Sequence, residues 1–271
     1  MVCAPVEGRK PSEQRSGARK AGGPRCTGHG IEILQVRQCY DVSRETFDCR
    51  ADGSAMAREA FIFDCDGTIL DTLPDLVLLT NATLKEFGLP QHTSKDILSF
   101  VGHGARALID QAVPNSTPEE KRIAVFNRWK ELYPTFGFEE TIPFKGMPST
   151  IETLKRTGVK VAVLSNKFDA ATKEVTERYY PGVFDAIHGE CPDYPRKPDP
   201  TGLLKTIAEL GTIPEKTVYV GDSPVDIEVS KAAGVLAAGV SWGYNPEPVL
   251  VSAGADVIVH APENLLGLLS R

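Results

Sequence analysis

From Met56 to its end, the chain alternates short apolar runs with segments of helical pattern. The runs AFIFD, VKVAVLS, TVYVGD, VLAAGVSW and ADVIVH are almost continuously apolar, as is typical of parallel strands that are buried on both faces. Helical patterns lie between or after them, at residues 147–157, 169–181, 199–210, 223–233 and 262–269. This order of elements predicts an α/β protein built on a doubly wound parallel sheet.

One interval is far too long for a simple connection between neighbouring strands. Roughly 100 residues separate Asp64, at the end of the first strand, from Ser165, at the end of the second, whereas a crossover needs only about a dozen. The interval has helical patterns at residues 74–88, 93–99, 103–113 and 118–134. We therefore predict a core domain of residues 56–79 and 144–271, with a helical cap domain of residues 80–143 inserted over one edge of the sheet.

Residues 1–55 differ from the rest of the chain in composition. The segment from Met1 to Gly30 is rich in Gly, Pro, Arg and Ser and has almost no periodicity, which favours disorder. Met56 then directly precedes AREAFIFDCDG, a natural beginning for a domain whose first strand covers residues 60–64. We predict that residues 1–55 are a disordered extension, or that their start codon lies upstream of the true one.

The charge of the chain restricts its partners. A net charge of −6 argues against a nucleic-acid or anionic membrane surface, because such partners call for a basic patch. No apolar run approaches the about 18–20 residues of a membrane span, and no secretory signal precedes the first strand. The six cysteines form no C-x-x-C pair. Together these features predict a cytoplasmic protein with reduced thiols that acts on a small molecule, as a monomer or a homodimer.

Polar side chains follow the predicted strands at the points where those strands end. Asp64 and Asp66 follow the first strand, Ser165 and Asn166 the second, and Asp222 a later one. The carboxyl ends of parallel strands meet at one edge of a sheet, and this edge is where open α/β sheets bind their ligands. Each residue alone has a plain structural interpretation as a turn or helix cap, but as a set they indicate a site for an anion and a cation.

The order of these residues resembles the four motifs of the haloacid dehalogenase superfamily. The motifs are DCDGT at 64–68, SN at 165–166, KP at 197–198 and GDSPVD at 221–226, and the similarity covers residues 60–271. It implies a Rossmann-like core, a helical cap of the C1 type between the first two motifs, and phosphatase chemistry that uses Mg²⁺. A phosphate monoester is both anionic and inert, so an attacking carboxylate needs charge neutralisation of this kind.

The resemblance also implies a role for each motif residue. Asp64 is the expected nucleophile that becomes an aspartyl-phosphate, and Asp66 is the expected general acid and base. The expected metal ligands are Asp64, the backbone carbonyl of Asp66, and Asp222. The remaining roles are phosphate binding by Thr68, Ser165, Asn166 and Lys197, and support of these groups by Asp226 and Ser223. Cys65 between the two aspartates alternates away from them, so we expect it to be a small buried hydrophobic residue.

The cap is expected to select the substrate. In VGHGARALI two glycines precede a helix, where backbone N–H groups can face an anion, and this loop is similar to the cap loop of phosphoglycolate phosphatases. The segments NATLKEFGLP and GVSWGYN also resemble that subfamily. The resemblance implies that the substrate is 2-phosphoglycolate, with its carboxylate near Gly102, Gly104 and Arg106.

Several alternatives remain open within and beyond the superfamily. A pyrophosphatase or a broad sugar or nucleotide phosphatase would share this cap loop. Dehalogenases lack the second aspartate, which is present here as Asp66. Sugar-phosphate mutases carry a histidine that this chain lacks after its first motif. Phosphonoacetaldehyde hydrolases need a cap lysine, and nothing distinguishes Lys85 or Lys95 for that task. A non-catalytic regulator on the same fold would be expected to lose Asp64, Asp66, Lys197 or Asp222, and all are present.

Overall fold

A computed structural model describes residues 57–136 and 138–270; the extension predicted at residues 1–55 lies outside them. Two sheets are present in the described residues. The strands of the main sheet are β1 (Ala60–Phe63), β4 (Lys160–Phe168), β5 (Ala186–Glu190), β6 (Thr217–Gly221), β7 (Leu236–Val240) and β8 (Val257–Val259). The second sheet is a short antiparallel pair of β2 (Leu70–Asp71) and β3 (Ile142–Pro143).

The helices occupy the intervals between these strands. Between β2 and β3 lie α1 (Leu73–Glu86), α2 (Ser94–Phe100), α3 (Gly104–Ala112) and α4 (Glu119–Phe136). The later helices are α5 (Met147–Arg156), α6 (Asp169–Tyr179), α7 (Thr201–Glu209), α8 (Pro224–Ala233) and α9 (Glu247–Ser252), with 3₁₀ turns at Pro214–Lys216 and Pro262–Leu268. Among the described residues, no helix has both the length and the apolar character needed to cross a membrane.

The main sheet is parallel throughout and has the strand order β5-β4-β1-β6-β7-β8. The chain therefore winds outward from the central β1 through β4 and β5, and then crosses back to β6 to wind in the other direction. This is the doubly wound order of nucleotide-binding sheets, in which the ligand crevice opens where the winding direction reverses. The reversal lies between β1 and β6, so the fold class predicted from the sequence is confirmed.

The central strand explains why its sequence is apolar at successive positions. Phe61 and Phe63 pack into one buried cluster, and Ala60 and Ile62 pack into another. All four side chains are buried, because helices cover both faces of the sheet. At about 25 cal/mol per Å² of apolar surface, each such phenylalanine contributes on the order of 2–3 kcal/mol through burial. The carboxyl end of β1 is consequently held in a rigid frame.

The helical segment between β2 and β3 lies over the carboxyl end of the sheet. Its departure and return are joined by the pairing of Leu70 with Pro143 and of Asp71 with Ile142. The buried carboxylate of Asp75, on α1, reinforces this junction because its Oδ2 accepts hydrogen bonds from the backbone N–H of Thr141 at 2.7 Å and from its hydroxyl at 2.6 Å.

Two expectations from the sequence need correction. The cap boundary predicted at residue 80 falls inside the unbroken helix α1, whose Thr80 accepts a hydrogen bond from the indole of Trp129 on α4. The chain instead leaves and rejoins the core at the β2–β3 pair, and the division into a core and a cap domain otherwise stays a prediction. Strand β5 and helix α9 were also missed, because the sequence of β5, AIHGE, mixes polar and apolar residues without a clear period.

Candidate active site

The predicted motif residues meet at the crevice between β1 and β6. Asp64 directly follows β1, and Asp222 directly follows β6. Ser165, Asn166 and Lys167 lie in the last part of β4, where its register with β5 shifts between Leu164 and Phe168. Such irregularities re-aim side chains beside functional sites. Except for Asp66, which is half-buried, the predicted catalytic and phosphate-binding residues are buried.

Lys197 joins two of the carboxylates. Its Nζ lies 2.7 Å from Oδ1 of Asp226 and 2.9 Å from Oδ1 of Asp64, and it donates to the hydroxyl of Tyr219 at 2.9 Å. That hydroxyl in turn donates to the Leu164 carbonyl at 2.7 Å. Burial disfavours the charged lysine, but the charges of Asp226 and Asp64 outweigh it and raise the Lys197 pKa well above its usual value. The group is therefore a fixed cation at the floor of the crevice.

Asp226 and Ser223 form the N-terminal cap of α8. The backbone N–H and the hydroxyl of Ser223 both donate to Oδ2 of Asp226, at 3.0 and 2.6 Å. Since Oδ1 of Asp226 contacts the Lys197 ammonium, both oxygens of this carboxylate have partners. The supporting position predicted for Asp226 and Ser223 agrees with this geometry.

Asp222 is bound only by neutral donors. Its Oδ1 accepts from the hydroxyl of Thr68 at 3.3 Å, and its Oδ2 accepts from the backbone N–H of Tyr244 at 2.6 Å. The turn that carries Thr68 passes very close, because a Cβ on Gly67, whose φ is +82°, would lie 2.4 Å from Oδ2 of Asp222. Only glycine fits this turn, both for its positive φ and for this contact.

Asp66 has a partner on each carboxylate oxygen. The hydroxyl of Thr72 donates to Oδ1 at 2.6 Å, and the Lys167 ammonium donates to Oδ2 at 3.0 Å. The same ammonium lies 5.3 Å from the ring centroid of Tyr133 on α4. Burial disfavours its charge, but the carboxylate of Asp66 more than compensates and raises the Lys167 pKa. Lys167 is thus a buried, charged link between the core and the helical segment above it.

The carboxylates at the crevice fit a divalent cation. Oxygens of Asp64, Asp222 and Asp226 lie within 4.8 Å of one another. Oδ1 of Asp64 is buried without a hydrogen bond, since Lys197 approaches it closely but not along a hydrogen-bonding direction. Burial, with repulsion from Asp226 and Asp66, raises the Asp64 pKa to about 6 despite Lys197. Burial and the charges of Asp226 and Asp64 likewise raise the Asp222 pKa. A hard cation bound to Asp64 and Asp222 would relieve this deficit of positive charge.

The cap loop that was predicted to bind substrate is attached to the core. The side-chain amide of Asn166 donates to the Gly102 carbonyl at 3.0 Å, while its Oδ1 accepts from the backbone N–H of Lys197 at 2.7 Å. Arg196 donates to the His103 carbonyl at 2.7 Å. Residues that flank the predicted catalytic groups therefore hold the loop over the crevice.

The crevice and the cap loop enclose a cavity of about 370 Å³. Its core side includes Asp64, Asp66, Ser165 and Asp222, and Gly102 and Gly104 line it from the cap loop. Much of the remaining wall is apolar and consists of Leu76, Leu98, Val101, Leu108 and Trp129. Cys65 lies behind the crevice, where burial raises the pKa of its thiol.

The structure does not bring Arg106 to this cavity. Its guanidinium forms ion pairs with Asp110 at 2.8 Å and with Glu119 at 2.7 Å, on the outer side of α3. The expectation that Arg106 meets the substrate is therefore corrected, and the physical reason is that helix geometry places it beside the acid one turn later. In contrast, Lys167, Tyr219 and Tyr244 contact the predicted site residues although they were given no role from the sequence. Only the position of Lys167 directly after the SN motif could have pointed to it.

Residues 61–240 match the family model of the haloacid dehalogenase-like hydrolases. The chain belongs to this family. Phosphoglycolate phosphatase of Aquifex aeolicus is 36% identical over 211 residues, which cover 78% of this chain and 96% of that relative. N-acetylmuramic acid 6-phosphate phosphatase of Pseudomonas aeruginosa is 31% identical over 219 residues, with coverages of 80% and 96%. The predicted resemblance to phosphoglycolate phosphatases is confirmed.

A solved structure supports the same assignment. The chain has 32% identity and a TM-score of 0.73 to a crystal structure from Lactobacillus delbrueckii subsp. bulgaricus, a protein proposed to be a phosphoglycolate phosphatase. The match covers 79% of this chain and 99% of that one. As the sequence predicts, the chain is a phosphoric monoester hydrolase of the haloacid dehalogenase-like family.

Proposed function

We propose that this hydrolase is a Mg²⁺-dependent phosphatase that cleaves 2-phosphoglycolate to glycolate and inorganic phosphate. The observation that carries the proposal is the convergence of Asp64, Asp66, Asp222 and Lys197 on one cavity beneath a glycine-bearing cap loop. The similarity to phosphoglycolate phosphatases over nearly their whole length supports the choice of substrate. The two free thiols among the described residues, Cys65 and Cys191, suit the cytoplasmic location that we propose.

Asp64 is the nucleophile in this mechanism. One of its oxygens attacks phosphorus as the bond between phosphorus and the ester oxygen breaks, which leaves an aspartyl-phosphate and an alkoxide. Lys197, already in contact with Asp64, and the hydroxyl of Ser165 hold the oxygens of the transferring group, where charge develops. Thr68 and the backbone of Asn166 complete the binding of that group.

Asp66 moves the protons. In the protonated form it donates to the departing alkoxide, and in the ionised form it accepts a proton from the water that attacks the aspartyl-phosphate. That attack releases inorganic phosphate and restores the Asp64 carboxylate. Asp66 lines the cavity next to Asp64, which is the position that both transfers require. Thr72 and Lys167 hold its carboxylate between turnovers.

Asp64, Asp222 and the backbone carbonyl of Asp66 are the groups that would hold Mg²⁺. When bound, the ion supplies positive charge that offsets the repulsion between the attacking carboxylate and the phosphate. The raised pKa values of Asp64 and Asp222, and the unpaired Oδ1 of Asp64, support this assignment.

A phosphorylated sugar acid is the second candidate substrate. The relative that acts on N-acetylmuramic acid 6-phosphate also matches over nearly its whole length. The cavity of about 370 Å³ and its apolar cap-side wall leave more room than a two-carbon acid requires. Both candidates carry a carboxylate in addition to the phosphate.

Initial rates of phosphate release distinguish these candidates. The panel is 2-phosphoglycolate, N-acetylmuramic acid 6-phosphate, glucose 6-phosphate and pyrophosphate, each with and without Mg²⁺. We expect kcat/KM for 2-phosphoglycolate to exceed the others by about tenfold or more. The variant Asp64→Asn should lose on the order of 10³-fold or more in kcat while unfolding cooperatively. A better rate with pyrophosphate, or an active Asp64→Asn, would contradict the proposal.

A further inference from the structure

We propose that Lys167 binds the carboxylate of the substrate and thereby makes the site selective for phosphorylated carboxylic acids. The inference rests on the proposed phosphatase function and deepens it, since it assigns the recognition of the second anionic group to a side chain on β4. It replaces Arg106, which is committed to Asp110 and Glu119.

Lys167 stands out among the side chains around the cavity. Of the described residues that line it, Lys167 alone has a permanently cationic side chain, whereas Asp64, Asp66, Asp222 and Glu228 bring negative charge. A substrate carboxylate would be repelled from most of this wall. Lys197 is surrounded by Asp64, Asp226 and Tyr219 at the floor, the place required for the phosphoryl group. Lys167 is therefore the available cation for a second anion.

The reach of a short phosphorylated acid matches the position of this ammonium. Nζ of Lys167 lies 3.0 Å from Oδ2 of Asp66, and the leaving oxygen must also come within about 3 Å of that carboxylate. The two points are thus no more than about 8 Å apart. In 2-phosphoglycolate a carboxylate oxygen lies about 3 Å from the ester oxygen, so a carboxylate bound to Lys167 spans about 6 Å in all.

The ammonium also has capacity for another acceptor. It carries three N–H donors, and within the described residues it makes one hydrogen bond, to Asp66. Its side chain is 4% exposed, and the ring of Tyr133 covers it on the cap side. A carboxylate would therefore meet a desolvated and positioned cation, for which charge-assisted hydrogen bonds are strongest.

A comparison of two substrates separates this role from support of Asp66. 2-Phosphoglycolate and 2-hydroxyethyl phosphate have the same two-carbon chain, but the second has a hydroxyl in place of the carboxylate. We expect Lys167→Met to lower the ratio of their kcat/KM values by about 10- to 100-fold, as for loss of a charged hydrogen bond. Any effect through Asp66 changes both rates and cancels in the ratio. Lys167→Arg should restore part of the selectivity.

A surface lysine provides the matched control. Lys130 is exposed on α4 and lies over the rings of Phe126 and Phe168, and Lys130→Met should leave the ratio unchanged. An equal loss for both substrates in Lys167→Met would overturn the inference and make Lys167 a positioning residue for Asp66. Lack of any preference for the carboxylate in the parent enzyme would also overturn it.

Binding to an inactive variant keeps this test independent of turnover. In Asp64→Asn, the dissociation constants of the two phosphates are measured by calorimetry with Lys167 and with Met at that position. A carboxylate preference that disappears with Lys167 supports the inference even if neither compound is hydrolysed, in which case the proposed function alone fails. If Lys167→Met does not fold, Lys167→Arg is measured instead, and an unchanged preference in it with a fully active enzyme is the expected result. Loss of activity toward both phosphates alike in that variant counts against carboxylate binding.

Discussion

The backbone N–H of Tyr244 donates a 2.6 Å hydrogen bond to Oδ2 of Asp222, and the side chain of the same tyrosine reaches the start of α1. Its hydroxyl accepts from the backbone N–H groups of Thr72 and Leu73 at 2.8 and 2.9 Å and donates to Asp71 at 3.1 Å. Thr72 occupies the N-cap position, but its own hydroxyl is bound to Asp66. One residue thus orients the predicted metal ligand and caps the first helix above the sheet.

Tyr244→Phe should therefore reduce stability without removing metal binding. The variant leaves two N–H groups at the start of α1 without an acceptor, at a cost of about 1–3 kcal/mol in the free energy of unfolding. The backbone N–H that meets Asp222 remains, so the Mg²⁺ concentration for half-maximal activity should stay the same. Urea unfolding and Mg²⁺ titrations measure the two effects. Tyr179→Phe, which removes one hydrogen bond to the Phe138 carbonyl, is the control and should lose less.

Gly243→Ala should weaken metal binding as well as stability. A Cβ at this position would lie 2.3 Å from Cβ of Asp222 and 2.4 Å from the Gly67 carbonyl, so the backbone has to move away from the metal ligand. We expect a loss on the order of 2 kcal/mol and a higher Mg²⁺ requirement. Gly267→Ala is the matched control, because a Cβ there meets no atom within 4 Å. Equal behaviour of the two variants would refute the close packing described here.

The metal-free protein should become less stable as the pH rises from 4 to 6. Burial raises the Asp64 pKa from 3.8 to about 6, so between these values the folded state binds more protons than the unfolded state. The contribution of Asp64 is full below the unfolded pKa and is lost as the pH rises through the folded value, by about 3 kcal/mol in total. The raised Asp222 pKa acts in the same direction.

Urea unfolding in EDTA at pH 4.5 and pH 7.5 measures this dependence. Asp64→Asn removes the titrating group, so its pH dependence should be smaller than that of the parent protein. Saturating Mg²⁺ should also remove much of the loss, because the ion binds the ionised carboxylates. A metal-free protein whose stability rises between these pH values would contradict the charge balance that we derive for the site.

Asp222→Asn should separate stability from metal binding. The substitution removes a buried charge that is repelled by Asp226 and Asp64, and the amide can still accept from the Tyr244 N–H. We expect the metal-free variant to be at least as stable as the parent in thermal unfolding. The parent should gain about 2.7 kcal/mol at a Mg²⁺ concentration 100 times its Kd, whereas the variant should gain almost nothing. A full Mg²⁺ response in the variant would exclude Asp222 as a ligand.

The sequence contained enough information for the motif residues and the strands that carry them. Asp64 and Asp222 directly follow continuously apolar strands, and the strand-end rule then brings them together. Arg106 was misassigned although Asp110, four residues later on the same helix, was a visible partner. That error came from weighing the glycine loop above the helix surface.

Other features depend on tertiary contacts that leave no local pattern. Simple alternation along β4 does not place Lys167 beside Asp66, because the register shift after Leu164 re-aims the end of the strand. Tyr244 caps a helix that begins far earlier in the chain, and no periodicity connects the two. The apolar wall of the cavity is likewise assembled from separate helices. Such contacts depend on how the elements pack, which is known only once the fold is known.

Arg196→Met should weaken substrate binding more than it slows the chemical step. Arg196 holds the His103 carbonyl of the cap loop at 2.7 Å and pairs with Glu190 at 3.1 Å. Loss of one such bond, about 1 kcal/mol, should raise KM about fivefold with a smaller change in kcat, because Lys197 keeps its contacts.

The control for Arg196 is Arg128, which is similarly exposed, at 40% against 42%, and pairs with Glu86 on α1. Arg128→Met removes a surface ion pair of the same kind that does not touch the cap loop, so KM should not change. Steady-state kinetics for the best substrate of the panel, together with thermal unfolding, measure both variants. A fall in kcat without a rise in KM in Arg196→Met would indicate that Arg196 acts through the neighbouring Lys197 rather than through the cap loop.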